Sequence, residues 1–300
     1  MDLEDPPVID VRNLKHWFET KQALKGISWS VGKGRICGIL GRNGAGKTTT
    51  INILNSFITP TEGECLLFGE PAHALSPATK ARIGYLIEGH VQYSFFNVDQ
   101  IERFYAPFYE KWDSSIYYHL IEKLDITRTQ KISTMSCGQR SQVALGLILA
   151  QKPDLIIFDD YSMGLDPGYR RLFIDVIRDF AADGERTILL TSHVIQDLED
   201  LIDDCLIYQR GKVLLDMETR KLREGFKCYR FETPPTLKES EFDSENLIRL
   251  ERHEKHSFLY GFLDGSEASE HVAKAGGKAD TIEPVFISLE EAFIALTGKY

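Results

Sequence analysis

The chain has 300 residues, more than the usual size of one compact domain, so one large α/β domain with a smaller appendage is the first expectation. Its 45 Asp and Glu against 35 Lys and Arg leave a net charge of −10, which argues against a broadly nucleic-acid-binding surface. No uninterrupted apolar stretch approaches the ~18 residues that span a bilayer, and the acidic start, Met1-Asp-Leu-Glu-Asp, lacks the basic-then-apolar pattern of a secretory signal.

The first segment, Val8 to Gly38, alternates short apolar runs with polar turns, Val8-Ile-Asp-Val11 and Gly26-Ile-Ser-Trp-Ser-Val31 among them. It reads as an antiparallel sheet leading into a buried strand, Ile36 to Leu40. A helix is predicted after Thr48 through Ile51, Leu54 and Phe57, stopping at Pro60 with a turn at Glu62-Gly63. From about Asn97 to Leu124 the spacing of Ile101, Phe104, Tyr105 and Phe108 predicts a separate helical subdomain, placed at about residues 90–150. Another helix is expected after Ser136, then a buried strand, Leu155-Ile-Ile-Phe158, a helix from Tyr169 to Ala181 and a strand Thr187-Ile-Leu-Leu190. A strand Cys205-Leu-Ile-Tyr208 and a hairpin turn at Arg210-Gly211 close the larger domain, residues 1–222. Strands alternating with helices predict a mostly parallel sheet with its ligand at the strands' carboxyl ends. Residues 223–300 read as a small α+β accessory domain. Its expected strands are Cys228 to Phe231, Leu247 to Leu250 and Phe258 to Phe262, its helix Ala268 to Lys274, and a last helix starts near Ser288.

Two motifs carry chemistry on their own. Gly41-Arg-Asn-Gly-Ala-Gly-Lys-Thr48 is a full G-x-x-x-x-G-K-[ST] phosphate loop between strand and helix. Glycines let consecutive backbone N–H groups curl around phosphate oxygens, and the helix offers its N-terminus to the same charge. Gly41, Asn43, Gly44, Ala45, Gly46, Lys47, Thr48 and Thr49 are therefore candidate nucleotide contacts. Lys47 is expected on the β- and γ-phosphates and the Thr48 hydroxyl on Mg²⁺. Downstream, the apolar strand of Asp154-Leu-Ile-Ile-Phe-Asp159 delivers an acid suited to Mg²⁺, the Walker B arrangement. The five cysteines are widely spaced, with no C-x-x-C pair, and fit reduced thiols of a cytoplasmic protein.

With Met135-Ser-Cys-Gly-Gln139, Gly164-Leu-Asp166 and Thr191-Ser-His193 in the same order, the chain resembles the ATP-binding subunits of ABC transporters over roughly residues 8–215. The resemblance implies a P-loop ATPase core with an antiparallel β-subdomain and a helical subdomain. Met135 to Gln139 is similar to the signature loop, so Ser136, Gly138 and Gln139 are implied on the ATP of an opposing subunit. Gly164 to Asp166 matches the D-loop. His193 matches the switch histidine, although on its own it reads first as a hydrogen-bonded strand-end residue. Glu88 falls where a Q-loop glutamine usually lies and is implied near Mg²⁺. Phe18, with Trp17 as the near alternative, stands at the aromatic position that stacks on adenine; both also read as ordinary core residues.

Departures from the family pattern are informative. Asp160 replaces the glutamate that orients the attacking water, which implies slow but real hydrolysis; Cys137 replaces the first glycine of the signature pair; and Tyr161 replaces a proline. The Pro107-Phe108-Tyr109 neighbourhood and the segment Ser288 to Gly298 resemble bacterial exporters of the daunorubicin and antibiotic group. By that resemblance, two ATP-binding subunits, identical or not, sandwich ATP at the cytoplasmic face of the membrane. They drive a separately encoded integral permease docked on residues from about Glu88 to Tyr109, with no nucleic acid expected. The alternatives are a non-transport ATPase of the same fold and a slow or regulatory ATPase module.

Overall fold

The computed structural model describes residues 6–87, 89, 93–124, 126–192, 194–234, 246–278 and 281–298. The chain divides into two compact units, Met1–Asp216 and Met217–Tyr300. The first runs β1 (Ile9–Phe18), β2 (Lys21–Val31), β3 (Ile36–Gly41), α1 (Lys47–Leu54), β4 (Glu62–Leu67), β5 (Glu70–Pro71), α2 (Pro77–Lys80), β6 (Ile83–Leu86), α3 (Val98–Tyr105), α4 (Ser114–Lys123), α5 (Cys137–Ala150), β7 (Leu155–Phe158), α6 (Pro167–Ala181), β8 (Thr187–Thr191), β9 (Asp204–Gln209) and β10 (Lys212–Glu218).

Two sheets build this unit. One has the order β2-β1-β4-β5 and is antiparallel at each pairing; the other has the order β10-β9-β3-β8-β7-β6. In the second, β3 pairs in parallel with β8 and β9, and β7 with β6 and β8. Every residue of β3, β7 and β8 is buried, as expected for parallel strands covered on both faces, which is why they read as unbroken apolar runs. Arg210 and Gly211 both have positive φ, 50° and 82°, the signature of the tight hairpin turn that joins β9 to β10.

The helical region has its own core, in which Val98, Ile101, Tyr117, Ile121, Val143 and Leu147 pack together. Asn97 and Gln100 form a reciprocal capping box at the start of α3, and Asp113 caps α4, so each helix begins on a side chain that accepts an otherwise orphaned N–H.

Two local expectations are corrected. The helix after the phosphate loop ends at Leu54, with Asn55 as its C-cap, and Phe57 is 58% exposed. Glu62-Gly63 is the start of β4, not a turn: a Cβ on Gly63 would stand 2.2 Å from the Asn13 carbonyl oxygen, so only glycine lets β4 pass β1. Ile83–Leu86, a short run carrying a glycine and assigned no element from the sequence alone, is the edge strand β6.

The second unit holds α7 (Thr219–Gly225), β11 (Lys227–Glu232), β12 (Leu247–Arg252), β13 (His256–Gly261), α8 (Gly265–Lys274), β14 (Glu283–Val285) and α9 (Leu289–Thr297). Its sheet has the order β12-β13-β11-β14. Tyr229, Phe231, Leu259, Ala268 and Val272 form its core.

Candidate nucleotide site

Sheet order builds the site. Because β3 neighbours β8 and β8 neighbours β7, the carboxyl ends of three strands far apart in sequence lie side by side. Ile39 is opposite Thr191, and Phe158 is opposite Leu190. A cavity of about 340 Å³ opens there, lined by Asn43, Gly44, Gly46, Lys47, Thr48, Thr49, Asp159, Asp160 and Thr191.

Backbone strain shapes the loop. Gly44 and Gly46 have φ of 76° and 112°, values that disfavour any residue with a Cβ. At Gly46 a Cβ would also stand 2.7 Å from Leu24 Cδ2. Gly41 and Ala45 complete the loop on its buried side, Gly41 against the carbonyl oxygen of Tyr208 and Ala45 within the core. Lys47 opens α1; its ammonium, largely buried, donates to the carbonyl oxygens of Gly41 at 2.6 Å and Arg42 at 3.3 Å. The loop's own carbonyls therefore hold the ammonium of a residue that lines the cavity.

Two carboxylates also line the cavity. Asp159 and Asp160 are 3% and 6% exposed. Thr191 ties them together: its hydroxyl donates to Asp159 Oδ1 at 3.1 Å and accepts from the Asp160 N–H at 2.8 Å. Asp160 has φ of 45°, a left-handed conformation that costs a non-glycine residue about 1–3 kcal/mol and persists only where the surroundings over-determine it. The Ser162 hydroxyl donates to Asp160 Oδ1 at 3.0 Å.

Ser136, Gly138 and Gln139 do not line this cavity. They start α5, where Ser136 Oγ accepts from the Gln139 N–H at 3.1 Å and Gln139 Oε1 accepts from the Ser136 N–H at 3.0 Å. This capping box fixes the first turn of the helix. A Cβ on Gly138 would stand 2.1 Å from Tyr169 Cδ2, and one on Gly164 3.1 Å from Cys137 Sγ. The signature-like and D-loop-like segments are thus packed on each other within one chain.

Phe18, at the end of β1, is 48% exposed, with its ring edge-on to His16 at 4.6 Å. It is not a core residue, and it does not line the cavity. Glu88 and His193 lie outside the described residues. Ser192 is buried, and its hydroxyl is bonded to that of Ser162 at 3.0 Å. Thr191, Ser162 and Tyr169 are the contributors that sequence reasoning left without a role. Thr191 belongs to the Thr191-Ser-His193 motif and Ser162 follows the acidic pair Asp159-Asp160, the signals that point to them.

The ABC transporter family pattern matches residues 24–162. The Nod factor export ATP-binding protein I of Burkholderia orbicola is 30% identical over 97% of this chain and 97% of its own length. The chain belongs to the ABC transporter ATP-binding family. Among the relatives of this ABC subunit, the ABC transporter ATP-binding protein YtrB of Bacillus subtilis is 27% identical over 90% of this chain and 99% of its own. A solved dimeric ATP-binding cassette bound to ADP and Pi shares the fold, with TM-score 0.63 and 19% identity over 71% of this chain and 99% of its own. ABC ATP-binding subunits are ATPases that bind ATP. Among the described residues of this one, no helix is long and apolar enough to cross a membrane.

Proposed function

We propose that this ABC subunit hydrolyses ATP to drive a separately encoded integral permease, as an exporter, from the cytoplasmic face of the membrane. The observation that carries the reading is the convergence of Lys47, Thr48, Asp159, Asp160 and Thr191 on one cavity. Export is favoured by the relative named for Nod factor export, whose likeness runs through both units of this chain. The small second unit, taken as beginning near residue 223, is read as an accessory domain.

The phosphate loop, from Gly41 to Thr49, binds the triphosphate through backbone N–H groups and Lys47, and Phe18 stacks on the base. The residues present fit Mg²⁺: a threonine hydroxyl and a buried carboxylate, Thr48 and Asp159, both line the cavity, and Glu88 is a further oxygen donor. Bound there, Mg²⁺ supplies positive charge against the phosphate oxygens. Asp160 accepts the proton of the attacking water. Lys47 and His193 place charge and donors against the transferring phosphoryl group. Asp160 is one methylene shorter than glutamate, and because a well-placed base contributes about 10²–10⁴-fold, its shorter reach slows turnover.

Ser136, Gly138 and Gln139, absent from the cavity wall, serve the ATP of a second subunit, so that each composite site needs two copies or a paralogue. The permease docks where Phe95, Phe104 and Phe108 are exposed, at 67%, 39% and 69%. Purification of the chain from detergent-solubilised membranes tests the assignment. A multi-span partner is the expected co-purifying protein, and recovery with ribosomes or nucleic acid instead would refute it.

A further inference from the structure

The hydroxyls of Ser162 and Ser192 form a chain that ends on Asp160. Ser162 Oγ lies 3.0 Å from Asp160 Oδ1 and 3.0 Å from Ser192 Oγ, and Ser192 Oγ accepts from the Val194 N–H at 2.9 Å. All three side chains are buried, with exposures of 7%, 2% and 6% for Ser162, Ser192 and Asp160. The proton order follows from chemistry. Ser162 donates its one proton to Asp160 Oδ1, so in its contact with Ser192 the Ser192 hydroxyl is the donor. The competing contact from Ser192 to the Val194 carbonyl is 3.5 Å, at the weak limit of such bonds. Donors therefore run head to tail from the backbone beyond β8 to the carboxylate beyond β7, each polarising the next.

We propose that Ser162 is a positioning residue that holds the Asp160 carboxylate in its hydrolytic orientation, with Ser192 linking that orientation to the segment after β8. The inference rests on the reading of Asp160 as the group that accepts the water's proton. Its physical basis is reach. The backbone of Asp160 is fixed by Thr191 and its side chain is short, so the carboxylate stays within range of a hydroxyl two residues on. A glutamate would carry its carboxylate past that hydroxyl.

The test uses the full-length chain with Ser162→Ala, Ser162→Thr, Asp160→Asn and the double variant Ser162→Ala/Asp160→Asn. Single-turnover ATP hydrolysis and the Kd of a fluorescent ATP analogue are measured for each. Ser162→Ala is expected to slow hydrolysis about 10-fold while Kd changes less than about twofold, because the contact matters for orientation and not for nucleotide binding. Ser162→Thr, which keeps the hydroxyl, is expected to stay within about threefold of wild type. In the Asp160→Asn background Ser162→Ala should add nothing, since residues acting as a unit are non-additive. An unchanged single-turnover rate in Ser162→Ala, or an equal loss in both backgrounds, would overturn the positioning role. Wild-type hydrolysis in Asp160→Asn would instead overturn the assignment of Asp160, a separate result.

Discussion

Replacing Gly138 by alanine adds a single methyl group at the start of α5, and its consequence can be worked out from Tyr169. The new Cβ would lie 2.1 Å from Tyr169 Cδ2 and 2.5 Å from Cε2 and Cγ. Cγ is the root of the ring, so the clash is not relieved by swinging a flexible tip. The backbone of Tyr169 is also held: its N–H donates to Asp166 Oδ1 at 3.0 Å, and its carbonyl accepts from Gln142 Nε2 at 3.2 Å. Overpacking of this kind costs about 1–3 kcal/mol, against a helix-propensity gain of up to about 1 kcal/mol for Ala over Gly, leaving a net loss of about 1–2 kcal/mol. In a Tyr169→Ala background the clash is gone, and the same change becomes stabilising by about 0.5–1 kcal/mol. The coupling between the two positions is then about 2 kcal/mol, within the range for touching residues. Scanning calorimetry of the four proteins reads this as a midpoint about 2–8 °C lower for Gly138→Ala alone, rising slightly when Tyr169 is already alanine. A higher midpoint for Gly138→Ala in both backgrounds would refute the packing argument.

Three further outcomes are expected. Tyr208→Phe removes the acceptor of the buried Trp29 Nε1–H, bonded at 2.6 Å, and should lower stability by about 1–3 kcal/mol in denaturant titration, the cost of an orphaned buried donor. Thiol titration of the native chain should modify Cys137 alone, because Cys37, Cys65, Cys205 and Cys228 are buried and burial pushes the Cys65 and Cys205 thiols up to about 12; reaction of all five without denaturant would contradict the packing. Asp113 is held down to about 2 by hydrogen bonds from Lys152 and then Ser115. Its folded-state value lies below the unfolded one of about 3.9, so its contribution is complete above that pH and is lost as pH falls toward 2. Acid titration followed by circular dichroism should show Asp113→Asn losing that part of the acid dependence, and an unchanged profile would sink the assignment.

What the chain discloses about itself divides along a physical line. Leu155–Phe158 and Thr187–Thr191 are legible as strands because burial on both faces leaves an apolar run that nothing else explains so simply. Glu62-Gly63-Glu64 misleads because its glycine answers to a neighbour 50 residues away. Gly63 is there for the carbonyl of Asn13, and a local reading can only take Glu-Gly-Glu for a turn. β14 is hidden for a similar reason: Glu283-Pro284-Val285 is three residues on the edge of its sheet, where a proline is tolerated.

The same division runs through the site. The phosphate loop is legible because its geometry is local, eight consecutive residues doing one job. The acidic lining is only half legible: Asp159 and Asp160 follow a readable strand, whereas Thr191 reaches them, and Ser192 reaches Ser162, only because β8 lies between β3 and β7, an order that no residue spells out. Gly138 shows the limit most clearly. Read along the sequence it is a signature glycine suited to a phosphate; in the fold it is also the one residue that leaves room for Tyr169. Both demands can hold together, and they separate experimentally, because a phosphate requirement survives Tyr169→Ala and a packing requirement does not. An alanine at 138 whose stability recovers in that background while ATP hydrolysis stays low would assign the glycine to both.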